Sequence, residues 1–255
     1  MNFRSICILF YLIFYFIITF PARLRLKRLE RTNPQEASRI AQEYVQKAFR
    51  QILKICGVTV TVSGLENIPE EAALFVGNHS SYFDIIVTGS TVPGGTGFVA
   101  KDSLANIPGL SSWMRRIHCL FLDRKDIRKG LKTILRGADY LKEGYSMCIY
   151  PEGTRSTDGK LGEFKGGSLK MAQKSKAPIV PVALTGTRDI FENNQGLRIL
   201  PARVAISFGT PFRISDLPKE EKKFAAEHTK KAIEAMLAEQ KKQNFSLQTE
   251  ETMLK

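Results

Sequence analysis

Several familiar devices are missing from this 255-residue chain. No G-x-x-x-x-G-K-[ST] run occurs, which excludes a P-loop, and no G-x-S-x-G run occurs, which excludes a serine nucleophile elbow. "GTGFVA" (95–100) matches G-x-G-x-x-A in letters only, because its glycines precede a strand-like run where a dinucleotide fingerprint needs them to follow one. Histidine is scarce: His79, His118 and His228 are the only three. The four cysteines, Cys7, Cys56, Cys119 and Cys148, are scattered, with no short-spaced pair. Zinc knuckles and redox pairs are thereby excluded, and no bound metal is expected. The thiols read as reduced core residues, which favours a cytoplasmic setting for the globular part.

Acidic residues are also short, 25 against 38 Lys and Arg, a net charge of +13. The excess is front-loaded. Residues 23–54 hold nine Lys and Arg against Glu30, Glu36 and Glu43. No RNP, zinc-finger or helix-turn-helix pattern accompanies the charge, so a nucleic-acid partner is not expected and an anionic membrane surface fits better.

The chain does contain an apolar front end. "ICILFYLIFYFIITF" (6–20) has Thr19 as its one polar member. A perpendicular span needs roughly 20 residues, so both a short span and an embedded anchor stay open. A signal peptide is disfavoured by the single leading Arg4 and the lack of a small-x-small site in "TFPARLRL". Arg23, Arg25, Lys27 and Arg28 follow at once and would hold that flank in the cytoplasm. Residues 34–56 then carry Ile40, Val45, Phe49, Ile52 and Cys56 at helical spacing. That amphipathic helix could lie on the membrane or pack on the domain.

Beyond residue 56, short apolar runs alternate with helical stretches: "GVTVTVSG", "AALFVGN", "TGFVA", "CLFLD", "YSMCIY", "APIVPVAL" and "ARVAISFG". The alternation predicts an α/β domain with a mixed, largely parallel sheet flanked by helices. The expected organisation is a membrane-anchoring or interfacial helical segment (1–56), a domain (57–245) and a polar tail (246–255). A last helix is expected from a cap at Ser215 or Asp216, with Pro218 in its first turn, to about Gln243.

Two constellations carry chemistry. In "NHSSYFD" (78–84), His79 follows a buried-type strand with Asp84 five positions on. Five residues of one helix rotate by roughly 500°, leaving the two side chains about 140° apart. They can meet only if His79 lies in the turn and Asp84 enters the helix. The carboxylate would then accept the Nδ1–H and leave Nε2 as a general base. The same spacing also fits a purely structural cap. In "YPEGTRS" (150–156), Pro151 stiffens a strand exit, Gly153 permits close approach, and Thr154 and Arg155 offer donors suited to a phosphate. A salt-bridged turn between Glu152 and Arg155 is the plainer alternative. Arg124 in "FLDR" ends another strand.

These blocks, with "IVPVAL" (179–184), resemble in order the four motifs of the glycerolipid acyltransferases, the 1-acyl-sn-glycerol-3-phosphate acyltransferase type, over roughly residues 58–212. Tyr150 stands where Phe is common. The resemblance implies an O-acyltransferase making phosphatidic acid from lysophosphatidic acid, with no cofactor and an acyl-CoA or acyl carrier protein thioester as co-substrate. His79 would be the base and Asp84 its orienter. Arg124, Glu152, Gly153, Thr154, Arg155 and Lys101 would bind substrate, with Lys165 in "FKGG" a weaker candidate. The expected location is the cell membrane, active site on the cytoplasmic face. The alternatives are another lysophospholipid or hydroxylated lipid acceptor, or a non-catalytic lipid-binding protein.

Overall fold

A computed structural model of the chain describes residues 1–165 and 167–253, with side chains through Gln243. Its elements run α1 (Phe3–Ile18), α2 (Phe20–Thr32), α3 (Pro34–Cys56), β1 (Thr59–Ser63), β2 (Leu74–Gly77), α4 (Phe83–Thr91), β3 (Gly97–Lys101), α5 (Leu110–Arg116) and β4 (Leu120–Leu122). They continue α6 (Ile127–Lys142), β5 (Met147–Ile149), α7 (Lys170–Ser175), β6 (Ile179–Thr185), β7 (Arg203–Phe208) and α8 (Ala225–Met253). Every strand expected from the apolar runs is present.

The sheet order is β1-β7-β6-β2-β5-β3-β4. Strands β2 to β6 are mutually parallel, whereas β7 is antiparallel to β6 and parallel to β1. The five parallel strands therefore end on one edge of the sheet. The loops after β2, β3, β4, β5 and β6 all open there, the place where α/β sheets hold their ligands.

Pleating splits the core into two layers, since alternate residues of a strand point to opposite faces. Phe75 of β2 joins Ala41, Val45, Val180 and Ile206 on the side of α3 and α4. Leu74 and Val76 join Ile134, Met147, Met171 and Ile233 on the side of α6, α7 and α8. Because β2 is covered on both faces, all four of its residues are buried, as its unbroken apolar run requires. Edge strand β1 instead alternates exposed Thr59, Thr61 and Ser63 with half-buried Val60 and Val62. Pro181 inside β6 is tolerated because β7 and its extension bulge opposite it. Val182 faces Phe208 while Ile179 faces Phe212, one residue more than a regular ladder would place there.

The front end forms three helices rather than one long one. Asn2 caps α1 and α2 turns away by 49°, with Pro21 in its first turn. Among the described residues no single helix is long and apolar enough to cross a bilayer, although the bent α1–α2 pair meets that test by length and composition. One face of α1 packs on the domain through Ile8, Tyr11, Leu12, Tyr15 and Phe16. Its other face exposes Phe3, Phe10, Ile13, Phe14 and Ile17. Of the two destinations open to the amphipathic helix 34–56, α3 takes the core: Ala37, Ala41, Val45, Ala48 and Ile52 are buried. Gly57 closes it at φ 73°, the left-handed turn that glycine enters without strain.

The last helix departs from expectation at both ends. Residues 214–216 and 222–224 form separate 3-10 turns, so Ser215 and Asp216 cap no α-helix and α8 begins at Ala225. Nor does α8 stop near Gln243. It continues to Met253 through most of the expected polar tail. Gln and Glu have good helix propensity and Pro and Gly are absent there, so nothing in the segment breaks the helix.

Candidate active site

His79 leaves the end of β2 and Asp84 enters the first turn of α4, the arrangement that lets residues five apart face each other. Asp84 Oδ2 lies 2.9 Å from His79 Nδ1 and also accepts the backbone N–H groups of Ser80 at 2.7 Å and Ser81 at 2.8 Å. Its other oxygen accepts Thr187 Oγ1–H at 2.6 Å. The carboxyl group is fully buried, and each contact is a donor aimed at it, the pattern of an acceptor-only ionised carboxylate. A proton on Nδ1 engaged in this way would leave the lone pair of an uncharged ring on Nε2, which has no hydrogen bond among the described residues. Ser80 and Ser81 serve the helix start. Ser81 Oγ also accepts the Phe83 N–H, a local turn typical of serine.

Residue 78 extends the sheet with its side chain. Asn78 donates to the Leu184 carbonyl at 2.9 Å and accepts the Leu184 N–H at 2.8 Å, so its buried amide imitates a strand residue and fixes β2 against β6 just before His79.

The loop after β5 holds the backbone of His79 from both sides. Glu152 Oε1 accepts the His79 N–H at 2.7 Å, and Ser156 N–H donates to the His79 carbonyl at 2.8 Å. Glu152 Oε2 takes the Gly162 N–H at 2.8 Å. Burial pushes the Glu152 carboxyl above its usual range, and the two N–H groups pull against that shift. In this structure both carboxylate oxygens of Glu152 are engaged by backbone N–H groups: Oε1 braces the two motifs together, and Oε2 holds the later turn at Gly162. Tyr150 lies flat under the imidazole, ring centroids 4.4 Å apart and planes 16° from parallel. Its hydroxyl is 3.2 Å from Thr88 Oγ1, and burial raises the phenol well above its ordinary pKa.

Arg155 does not pair with Glu152 in a tight turn. Its Nη1 reaches Glu192 Oε1 at 2.9 Å, and its guanidinium sits 3.7 Å from the centre of the Tyr82 ring. Gly153, at φ 72°, does permit close approach, and the group that uses the space is Lys165: a Cβ on Gly153 would lie 2.7 Å from its amine. Beside them opens a cavity of about 250 Å³, with Val99, Leu122, Ile134 and Ile149 on its walls and Arg124, Gly153, Lys165 and Tyr150 among its lining. Arg124 and Lys165 therefore gather with Tyr150, the ring under His79. Thr154 is exposed on the same loop, and Lys101 is exposed at the end of β3 outside the cavity.

Four participants escaped the sequence reading: Thr187, Glu192, Asn78 and the stacked face of Tyr150. Asn78 and Tyr150 belong to motifs already singled out. Thr187 stands two residues past β6, a position that parallel topology makes a site position. Glu192 carries no local signal, because its partners Ser81 and Tyr82 lie 111 and 110 residues away. His118, unmotivated as a ligand, stacks on Tyr145 and bonds Ser38 Oγ at 2.9 Å. No group of His, Cys, Asp or Glu among the described residues could hold a metal.

The His79–Asp84 pair thus lies at the carboxyl edge of a largely parallel sheet, with Arg124, Arg155 and Lys165 on the neighbouring loops. The family model described as Acyltransferase matches residues 59–185. A probable 1-acyl-sn-glycerol-3-phosphate acyltransferase of Mycoplasma genitalium is 31% identical over 191 residues, 72% of this chain and 70% of the relative. The probable enzyme of that name from Mycoplasma pneumoniae is 30% identical, the match covering 65% of this chain and 67% of the relative. The 1-acyl-sn-glycerol-3-phosphate acyltransferase of Saccharomyces cerevisiae is 32% identical over 62% of this chain, a match spanning only 54% of the yeast protein. The crystal structure of the 1-acyl-sn-glycerophosphate acyltransferase PlsC from Thermotoga maritima superposes with a TM-score of 0.80 at 26% identity, covering 93% of this chain and 95% of that one. The chain belongs to the 1-acyl-sn-glycerol-3-phosphate acyltransferase family, a family of O-acyltransferases.

Proposed function

We propose that the protein transfers an acyl chain from a thioester to the free hydroxyl of 1-acyl-sn-glycerol-3-phosphate, forming phosphatidic acid. The observation that carries the reading is the 2.9 Å contact of His79 Nδ1 with buried Asp84, which leaves Nε2 free of protein partners among the described residues. Nε2 takes the hydroxyl proton as the oxygen attacks the thioester carbonyl carbon. Asp84 stabilises the imidazolium that forms. Collapse of the tetrahedral adduct breaks the C–S bond, and the departing thiolate receives the proton from His79. The oxygen acceptor supplies the nucleophile, so no acyl-enzyme forms.

Arg124, Arg155, Lys165 and Lys101 supply positive charge on the edge where the acceptor phosphate would bind, and the apolar walls of the cavity suit a hydrocarbon chain. The exposed apolar face of α1, next to Arg23, Arg25, Lys27 and Arg28, supports attachment to an anionic membrane from the cytoplasmic side. Coenzyme A and acyl carrier protein remain the two donor classes.

The test is thioester consumption by membranes containing the full chain, with lysophosphatidic acid present or omitted. Wild type should form phosphatidic acid only with that acceptor. His79→Ala and Asp84→Asn should lose about 10³- to 10⁴-fold in kcat while folding normally, since each removes or misorients the base. Wild-type rates from His79→Ala would overturn the mechanism. Inactivity of wild type with both thioester classes and with other lysophospholipids would overturn the activity.

A further inference from the structure

The loop after β6 sends one carboxylate into the site that the proposed chemistry does not use. Glu192 Oε2 accepts the Ser81 hydroxyl at 2.6 Å, while Oε1 accepts both the Tyr82 N–H at 2.8 Å and Arg155 Nη1 at 2.9 Å. Its side chain is 13% exposed and that of Arg155 34%, so the pair is sheltered but faces the open edge. Ser81 and Tyr82 are the residues that lead into α4, where Asp84 sits. Tyr82 also places its ring under the guanidinium. Arg155 is thus gripped on one edge by Glu192 and on one face by Tyr82, leaving the rest of its planar fork to meet an anion.

We infer that Glu192 is a positioning residue that presents Arg155 to the acceptor's phosphate and ties that anion site to the start of the dyad's helix. The inference rests on the proposed reading that the acceptor is a phosphorylated glycerolipid. A guanidinium is most effective toward phosphate when its plane is fixed, because two parallel N–H···O bonds then form without further ordering. Without Glu192 the side chain keeps its charge and loses its aim. A chain that only needed a cap on α4 could use Ser81 and Tyr82 without engaging Arg155.

The experiment measures initial rates of phosphatidic acid formation in membranes containing the full chain, with lysophosphatidic acid and acyl-CoA varied in turn. Glu192→Gln should raise the KM for lysophosphatidic acid by about tenfold, the loss of one charge-assisted contact, with kcat within about threefold and the acyl-CoA KM unchanged. Glu192→Asp should fall between. Arg155→Gln should raise the acceptor KM further, and the Arg155→Gln, Glu192→Gln double variant should be no worse than Arg155→Gln alone. Additive losses in the double variant, or an unchanged acceptor KM, would overturn the inference. So would an equal fall in kcat with both KM values constant, which is the mark of a helix cap only. If Glu192→Gln fails to fold, Arg155→Lys carries the test: it keeps the charge and loses the fork, and an unchanged acceptor KM again overturns the inference. Wild-type inactivity toward lysophosphatidic acid with both acyl-CoA and acyl carrier protein thioesters would instead remove the reading beneath it, and if only the carrier protein thioester is used it replaces acyl-CoA in every comparison above. A working wild type with an indifferent Glu192→Gln would remove this inference alone.

Discussion

Thr187 Oγ1 donates to Asp84 Oδ1 at 2.6 Å across 103 positions of sequence, and both residues are almost wholly buried. The hydroxyl satisfies the one carboxylate oxygen that neither His79 nor the Ser80 and Ser81 N–H groups reach. Thr187→Val keeps the shape and deletes that donor. The variant should lose about 1–3 kcal/mol of stability for the unsatisfied buried oxygen. It should also lose roughly 10- to 100-fold in kcat, because the orienting carboxylate is freed to shift. Thr187→Ser should restore most of both. Denaturant unfolding beside the thioester assay reads the two effects, and a fully active Thr187→Val would show that the contact is dispensable.

A second expectation concerns acid. His118 packs against Tyr140 and Tyr145 with Arg136 nearby, and burial, then the Arg136 charge, pushes its pKa from 6.5 down to about 4. Between those values the unfolded chain binds a proton that the folded chain refuses. This site therefore contributes stability above pH 6.5 that is lost as the pH falls toward about 4. The thermal midpoint should drop by several degrees across that window. His118→Asn should flatten the slope, since Asn tolerates the left-handed φ of 59° and does not titrate. An equally steep slope in the variant would move the acid sensitivity elsewhere.

The outward face of α1 gives a third. Phe10 and Phe14 are each 56% exposed, one turn apart, and neither is among the α1 residues that pack on the domain. Phe10→Glu with Phe14→Glu should lower the fraction of protein that sediments with anionic vesicles, each change removing about 1–2 kcal/mol of available apolar burial. Activity toward acceptor presented in detergent should survive. Unchanged sedimentation would show that this face does not touch lipid.

The fold was readable wherever one residue class dominates a short window. β2 and β6 announce themselves as unbroken apolar runs because both faces are covered, and β1 by alternation because one face is wet. The His79–Asp84 contact was also readable, since strand exit and helix entry constrain residues five apart. What stayed hidden depends on distant partners. The resemblance alone assigned Glu152 to the substrate, and nothing local announces that its oxygens take the N–H groups of His79 and Gly162. Arg155 looked able to pair within its own turn, whereas Glu192 lies 37 positions away. The ends of α8 misled for a different reason. Ser215 and Pro218 have the right residue types for a helix start, but the chain spends them on a separate 3-10 turn and its exit.

The clamp on His79 has a kinetic side. Its N–H and carbonyl are both held by residues that arrive more than 70 positions later, on the loop after β5, and Asp84 waits for Thr187 later still. A nascent chain that has made β2 and α4 therefore owns the dyad's letters without its geometry. Closing such distant contacts is the slow part of assembling a parallel sheet. Catalytic competence should consequently lag behind the appearance of helix during refolding, which makes turnover a reporter of the finished sheet.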